Sequence, residues 1–76
     1  MAVYRFTVVI ERDEEGYFVF CPELQGCYTQ GATYKEALEN IKDAIRLHVE
    51  DRLESGEEIP KPKSVSLTSL VYTHNS

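Results

Sequence analysis

The side chains best suited to chemistry in this sequence are two cysteines and two histidines. Cys21 and Cys27 flank a short turn and can approach each other. A C-x5-C spacing is unusual for zinc, however, and neither His48 nor His74 lies close enough in sequence to complete a pair of ligands. Residues 1–10 begin a strand pattern instead of a secretory signal, so we expect two reduced thiols in preference to a disulfide. The sequence therefore predicts no metal site and no cofactor.

Carboxylates on a predicted helix, Glu36 and Glu39, are the remaining candidates for catalysis. A two-metal nuclease needs acids from several elements to hold its ions about 4 Å apart. The strand pattern at residues 3–12 carries only Glu11, at its end, and residues 64–72 carry no acid. Neither cysteine has an obvious histidine partner, and the glycines form no phosphate-binding loop. We therefore predict that the protein is not an enzyme and has no catalytic residues.

The length and the charge of the chain argue against several classes of function. A chain of 76 residues, 42% hydrophobic and 28% charged, is typical of one globular domain over residues 1–76. Eight Lys and Arg against 13 Asp and Glu give a net charge of -5, which opposes the phosphate neutralisation needed for direct DNA or RNA binding. The apolar runs are far shorter than the ~20 residues that span a membrane. The composition predicts a small acidic cytoplasmic domain that binds a protein.

Three segments rich in β-branched and aromatic residues predict the strands that carry these side chains. They cover residues 3–12, 17–21 and 27–30. In the first segment, one face is apolar and the other carries both apolar and polar residues. The acidic turn at residues 13–16 ends in a glycine, and residues 22–26 contain a proline and a glycine that reverse the chain. Two hairpins of this kind make an antiparallel meander of three strands.

A helix and a fourth strand complete the prediction. Thr33 and Glu36 have the spacing of a capping box, and the apolar periodicity continues to about Ser55, before a C-terminal cap at Gly56. Residues 64–72 alternate again and predict a last strand. The result is an α+β fold of order β-β-β-α-β. The crossover rules place strand four parallel to strand one, which gives the strand order 3-2-1-4 of a ribonuclease H-like core with the helix on one face.

The second strand has two apolar faces, although one helix can cover only one of them. Tyr17, Val19 and Cys21 alternate with Phe18 and Phe20. We expect Phe18 and Phe20 to form an interface, with homo-oligomerisation as its first use, unless the proline-containing connector folds over them. Stacking of single-stranded bases is the alternative use of an aromatic face, but the surrounding acids oppose it.

The segment from Asp13 to Ile45 resembles the HicB family of antitoxins. The resemblance depends on the order and spacing of five short motifs: Gly16 before Tyr17, Pro22-Glu23-Leu24, Gly26-Cys27, Thr29-x-Gly31 before Thr33, and Glu36-Ala37-Leu38 with Asn40. It implies a degenerate ribonuclease H-like fold without nuclease activity. It also implies a role in neutralising a small basic HicA-like toxin, which cuts messenger RNA, by covering the RNA-binding surface of that toxin.

The resemblance and the charge together suggest which residues contact the toxin. They lie in the acidic turn, at the start of strand two and in the next turn: Asp13, Glu14, Glu15, Tyr17, Glu23 and Leu24. Many members of the family carry a C-terminal DNA-binding segment, whereas this sequence stops soon after the predicted strand four, so we expect a short form. The alternative function is a solitary HicB-like module that has no toxin and acts as a homo-oligomer.

Overall fold

A three-stranded antiparallel sheet and one long helix form the ordered body of the protein. The computed structural model describes residues 2–62 and 66–75. The strands are β1 (Val9–Asp13), β2 (Gly16–Phe20) and β3 (Tyr28–Gly31), followed by α1 (Tyr34–Glu54). The strands lie in the order β1-β2-β3, and both pairs are antiparallel. The predicted α+β meander is therefore confirmed for three strands and the helix.

The register assigns each strand residue to one of two faces. Val9 pairs with Phe20, and Phe20 pairs with Tyr28 on the other side. Because side chains of a strand alternate, these residues share the face that is turned away from the helix, which we call the outer face. The opposite, inner face packs against α1, and the core contains six buried residues: Val19, Cys21, Leu24, Cys27, Ala37 and Ile41.

The ends of α1 follow from its flanking residues. The backbone amide of Glu36 donates to Thr33 Oγ1 at 3.1 Å, as predicted, but Glu36 Oε1 accepts from the amide of Ala32 instead of closing the capping box on Thr33. At the other end, the amide of Gly56, which has a φ of 73°, donates to the carbonyl of Leu53. This Schellman-type cap ends the helix where the sequence predicted.

Contact between α1 and β3 fixes the position of the helix on the sheet. Gly31 lies so close to the helix that a Cβ at this position would stand 2.5 Å from the backbone nitrogen of Ala37. The side-chain amide of Asn40 donates to the carbonyl of Gln30 at 2.8 Å. Since only glycine permits this approach, the strand and the helix depend on each other for their packing.

Two predicted strands differ from the structure. Strand one was expected over residues 3–12 but begins at Val9, because β2 ends at its partner Phe20 and the turn that follows provides no ladder for residues 3–8. The predicted fourth strand is not present in the described part of residues 64–72: residues 66–72 form no strand and are exposed, while Ser64 and Val65 lie outside the described residues. The four-stranded order and the ribonuclease H-like core stay predictions.

Candidate partner-binding surface

The outer face of the sheet carries three aromatic side chains in contact, Phe18, Phe20 and Tyr28, which we call the aromatic cluster. The ring centroid of Phe18 lies 6.2 Å from that of Phe20 and 6.0 Å from that of Tyr28. Helix α1 packs on the opposite face, so Phe18 stays 36% exposed and Tyr28 63% exposed. Contiguous exposed aromatic surface of this kind is characteristic of protein interfaces.

Next to the aromatic cluster, the acidic turn borders a hollow of about 200 Å³. Glu11, Asp13 and Glu15 line it together with Phe18 and other residues of β2 and β3. We call it the acidic hollow. In the part of the chain that the structure describes, the ion pairs found all belong to Arg46 on the helix, so no basic side chain neutralises these acids. The hollow therefore carries negative charge that no basic side chain of the described residues pairs with.

Asp13 also holds the turn in shape. Its Oδ1 accepts the backbone amide of Glu15 at 2.8 Å, which is the geometry of an Asx-type turn. Gly16 follows with a φ of 135°, a conformation in which a side chain would be strained and would meet the carbonyl of Gly31 at 2.8 Å. Glu14 is exposed at the tip of this turn. The structure thus brings the three predicted acids, Asp13, Glu14 and Glu15, to one end of the outer face.

Tyr17 belongs to both the hollow and the body of the fold. It contributes to the lining of the acidic hollow, yet its ring points to the inner side of the sheet. There it makes an edge-to-face contact with Tyr34, with centroids 6.1 Å apart, and the guanidinium carbon of Arg12 lies 5.7 Å from its centroid. Tyr17 therefore connects the residues that line the acidic hollow with the packing on the inner face of the sheet.

Glu23 and Leu24 lie at the opposite end of β2, about 17 Å from the acidic turn for a strand of five residues. Leu24 is 1% exposed and is one of the largest side chains of the core, so in this fold its side chain is not at the surface where the sequence predicted a partner contact. Glu23 Oε1 accepts the backbone amide of Thr7, which ties the segment before β1 to the turn after β2. The structure separates these two residues from the other predicted contact residues.

Three residues of this surface were missed in the sequence: Glu11, Tyr28 and Gln30. Glu11 could have been found, because it lies two residues after Val9 in the same strand and therefore shares its face. Tyr28 and Gln30 join the surface only through the register of β3, which pairs them with Phe20 and Phe18. A pattern within one strand does not contain that register.

The two cysteines are part of the core. Cys21 and Cys27 are each 2% exposed and carry free thiols. Burial raises the pKa of both thiols, and the carboxylate of Glu23 raises that of Cys21 further. Both are therefore protonated at neutral pH, which suits neither a nucleophile nor a metal ligand. Across residues 2–62 and 66–75, no three His, Cys, Asp or Glu side chains gather as metal ligands would.

Comparison with known proteins identifies the family. Residues 6–73 match the family described as the HicB-like antitoxin of bacterial toxin–antitoxin systems. The chain belongs to this HicB-like antitoxin family. The predicted resemblance is thereby confirmed, and its span extends well beyond the segment from Asp13 to Ile45 that carried it.

Relatives and solved structures agree with this assignment. A UPF0150 protein of Thermoplasma acidophilum is 48% identical over 65 residues, which cover 84% of this chain and 94% of the relative. Antitoxin HicB 1 of Photorhabdus laumondii is 44% identical over 80% of this chain but only 40% of its own length. The crystal structure of the N-terminal domain of the Burkholderia pseudomallei antitoxin HicB has a TM-score of 0.68 and 31% identity, over 79% of this chain and 72% of that one.

A second solved structure extends the likeness in fold. It is a HicA3–HicB3 toxin–antitoxin complex, whose matching chain has a TM-score of 0.62 and 24% identity, over 80% of this chain and 72% of that one. Membership of the HicB-like family connects the chain with toxin–antitoxin systems. Within the residues that the structure describes, no helix is both long enough and apolar enough to cross a membrane.

Proposed function

We propose that this HicB-like protein is a cytoplasmic antitoxin that neutralises a small basic HicA-like toxin, which cuts messenger RNA. It does so by covering the RNA-binding surface of the toxin and needs no catalytic step of its own. The observation that carries this proposal is the acidic hollow directly beside the aromatic cluster on the open face of the sheet. Family membership supports this role over that of a solitary module.

The acidic hollow matches the chemistry of an RNA-binding surface. Such a surface holds phosphates with Lys and Arg side chains, so a set of carboxylates can occupy the same side chains in place of RNA. Glu11, Asp13 and Glu15 place up to three negative charges around one hollow, and Glu14 adds a fourth in the turn that borders it. The net charge of -5 attracts a basic partner, and the cluster of acids directs it toward this end of the sheet.

The aromatic cluster supplies the contact that holds the partner once it has arrived. Exposed charges are strongly hydrated and contribute little to equilibrium affinity, whereas buried aromatic side chains dominate many interfaces. Phe18 lines the hollow and also touches Tyr28, so one surface joins the charged and apolar contacts. We assign fast encounter to the acids and slow dissociation to the aromatic rings.

Co-expression with a candidate toxin tests the proposal. The candidate is the product of a short, basic reading frame that adjoins the gene. The antitoxin should co-purify with it and should relieve the growth arrest that follows toxin induction. A variant with Phe18→Ser should weaken both effects, whereas the matched change Leu47→Ser, at a residue 59% exposed on the helix, should weaken neither. If the unmodified chain neither co-purifies with the toxin nor relieves the growth arrest, the proposal is refuted.

A further inference from the structure

The two buried cysteines stand opposite each other at the end of the hairpin formed by β2 and β3. Phe20 and Tyr28 are the last paired residues of these strands, and a cysteine adjoins each of them on the side of the turn. The backbone amide of Cys21 donates to the carbonyl of Cys27 at 3.0 Å, so the ladder continues for one more rung. Side chains of directly opposite residues lie on the same face, and both thiols belong to the core. The fold therefore brings the two cysteines of the chain together.

The spacing of such a pair is close to that of a disulfide. Opposite residues that share a ladder hydrogen bond have Cα atoms about 5.5 Å apart, within the range of about 4.4–6.8 Å for disulfides. Their Cβ atoms lie about 4.5–5.5 Å apart, whereas a disulfide needs about 3.5–4.5 Å, so the two backbones must approach by ~1 Å. This small movement is accessible because both strands end here and residues 22–26 form the turn.

The turn already holds both cysteines in place. The amide of Leu24 donates to the carbonyl of Cys21 at 3.2 Å, and the amide of Cys27 donates to the carbonyl of Leu24 at 3.1 Å. The thiol of Cys21 lies 3.8 Å from Glu23 Oε1, which also accepts the backbone amide of Thr7. Loss of the thiol proton therefore removes one weak donor from Glu23 and leaves the bond to Thr7. A disulfide can form here without a change in the backbone hydrogen bonds of the turn.

We propose that Cys21 and Cys27 form a reversible disulfide in the presence of peroxide, and that this bond locks the hairpin and slows proteolysis of the chain. One sulfur, as the thiolate, attacks an oxygen of hydrogen peroxide; an S–O bond forms, the O–O bond breaks, and the hydroxide released takes up the thiol proton as water. The second sulfur then attacks the sulfenic sulfur, and the hydroxyl leaves with the second thiol proton as water. Two thiols are oxidised and one peroxide is reduced to two waters. This regulation goes beyond the antitoxin role and does not depend on it.

Burial makes this reaction slow. Each cysteine is 2% exposed, so peroxide reaches the sulfur atoms through local opening of the turn. Burial also raises the pKa of both thiols, so little of the reactive thiolate is present at neutral pH. In a reducing compartment the pair stays as two thiols, in agreement with the sequence prediction, and the disulfide accumulates only while oxidant is in excess. The pair therefore responds to sustained oxidation.

The expected gain in stability follows from the length of the closed loop. A disulfide across the seven residues from Cys21 to Cys27 lowers the population of unfolded chains by roughly 50-fold when it is free of strain. Because the two backbones must approach, we expect a smaller effect, of roughly tenfold. For a chain of this size, a tenfold change corresponds to a rise in Tm of roughly 8 °C. Proteases that cleave the opened chain should then act roughly tenfold more slowly.

The test is oxidation of the purified, folded chain with hydrogen peroxide at about pH 8.5, followed by alkylation with iodoacetamide and mass spectrometry. Trypsin cleaves after Arg12 and Lys35, so one peptide carries both cysteines and excludes Met1, the single methionine. This peptide should become lighter by two hydrogens and should not be alkylated. The oxidised protein should gain roughly 8 °C in Tm and resist thermolysin roughly tenfold longer, and dithiothreitol should reverse all three changes. The matched controls Cys21→Ala and Cys27→Ala each keep one thiol and should show no rise in Tm.

Other outcomes contradict the proposal. A peptide that gains oxygen atoms in place of the disulfide would overturn it, and so would a disulfide that joins two chains as the main product. A disulfide that forms in urea but not in the folded chain would show that the fold holds the sulfur atoms apart. An unchanged or lower Tm of the oxidised protein would refute the locking of the hairpin. The unmodified chain in its two oxidation states decides each point, even if an alanine variant fails to fold. These measurements use no toxin, so their failure leaves the antitoxin proposal standing.

Discussion

Charge reversal in the acidic hollow separates local charge from total charge as the source of toxin recognition. Glu11→Lys combined with Glu15→Lys replaces two of the three acidic residues of the hollow with basic ones. Each change adds two charges, so the net charge rises from -5 to -1. The matched control, Glu54→Lys with Glu57→Lys, reaches the same net charge at the far end of the helix, where the side chains are exposed.

The expected effect is on the association rate. Electrostatic steering raises the association rates of oppositely charged proteins by roughly 10- to 1,000-fold at low salt. The side chains are exposed, so solvent screens them, and we expect the hollow variant to associate with the toxin roughly tenfold more slowly at an ionic strength near 0.01 M, where the Debye length is about 30 Å. The dissociation rate should change much less, because the aromatic cluster is untouched.

Surface plasmon resonance with immobilised toxin measures both rates. The hollow variant should lose its deficit as salt rises to about 0.15 M, where the Debye length falls to about 8 Å. The helix-end control should associate nearly as fast as the unmodified protein at every salt concentration. Equal slowing of the two variants would show that total charge steers the toxin, and an unchanged rate in both would remove the acidic hollow from the interface.

Three further predictions concern the aromatic contact, the helix packing and the thiols. Phe18→Ser should raise the dissociation rate of the toxin complex by roughly tenfold in the same experiment, because an interface aromatic is lost while the charges stay. Gly31→Ala should lower the free energy of unfolding by ~1–3 kcal/mol in urea denaturation, since its Cβ would meet the helix backbone. The raised pKa values of Cys21 and Cys27 mean that the unfolded chain ionises these thiols first. Their contribution to stability is therefore complete below the ordinary value of 9.0 and is lost as the pH rises through the folded-state pKa. Urea denaturation from pH 8 to pH 10.5 should show a smaller loss of stability in a variant with Cys21→Ala and Cys27→Ala; an equal loss would contradict the burial argument.

The sequence predicted the body of the fold because its signals are local. Alternation in β2 assigned Val19 and Phe18 to opposite faces of the sheet. Thr33, through its hydroxyl, predicted the start of the helix, and Gly56 predicted its end. These features need only neighbouring residues. The acidic turn was also predictable, since Gly16 and the acids before it are contiguous in sequence.

The remaining features depend on distant residues. Leu24 follows a proline and an acid, which is typical of an exposed turn, but the hairpin turns back and places it in the core. Glu11 and Tyr28 share a face only after the register is known. The alternation correctly placed Phe6 and Val8 on the face that packs against the core, whereas Tyr4 is exposed. A strand also needs a partner, and among the described residues no strand pairs with residues 3–8.

The positions of the acids also indicate that the proposed binding end of the sheet can be mutated without loss of the fold. Glu11, Glu14 and Glu15 are exposed, and none of their carboxylates accepts a hydrogen bond among the described residues. Asp13 differs, because its carboxylate holds the turn. An asparagine at that position keeps an oxygen that accepts the same amide, so Asp13→Asn removes charge without removing the turn. None of the acids of the turn belongs to the buried core, so we expect changes of charge in the acidic turn to act on binding with little effect on stability.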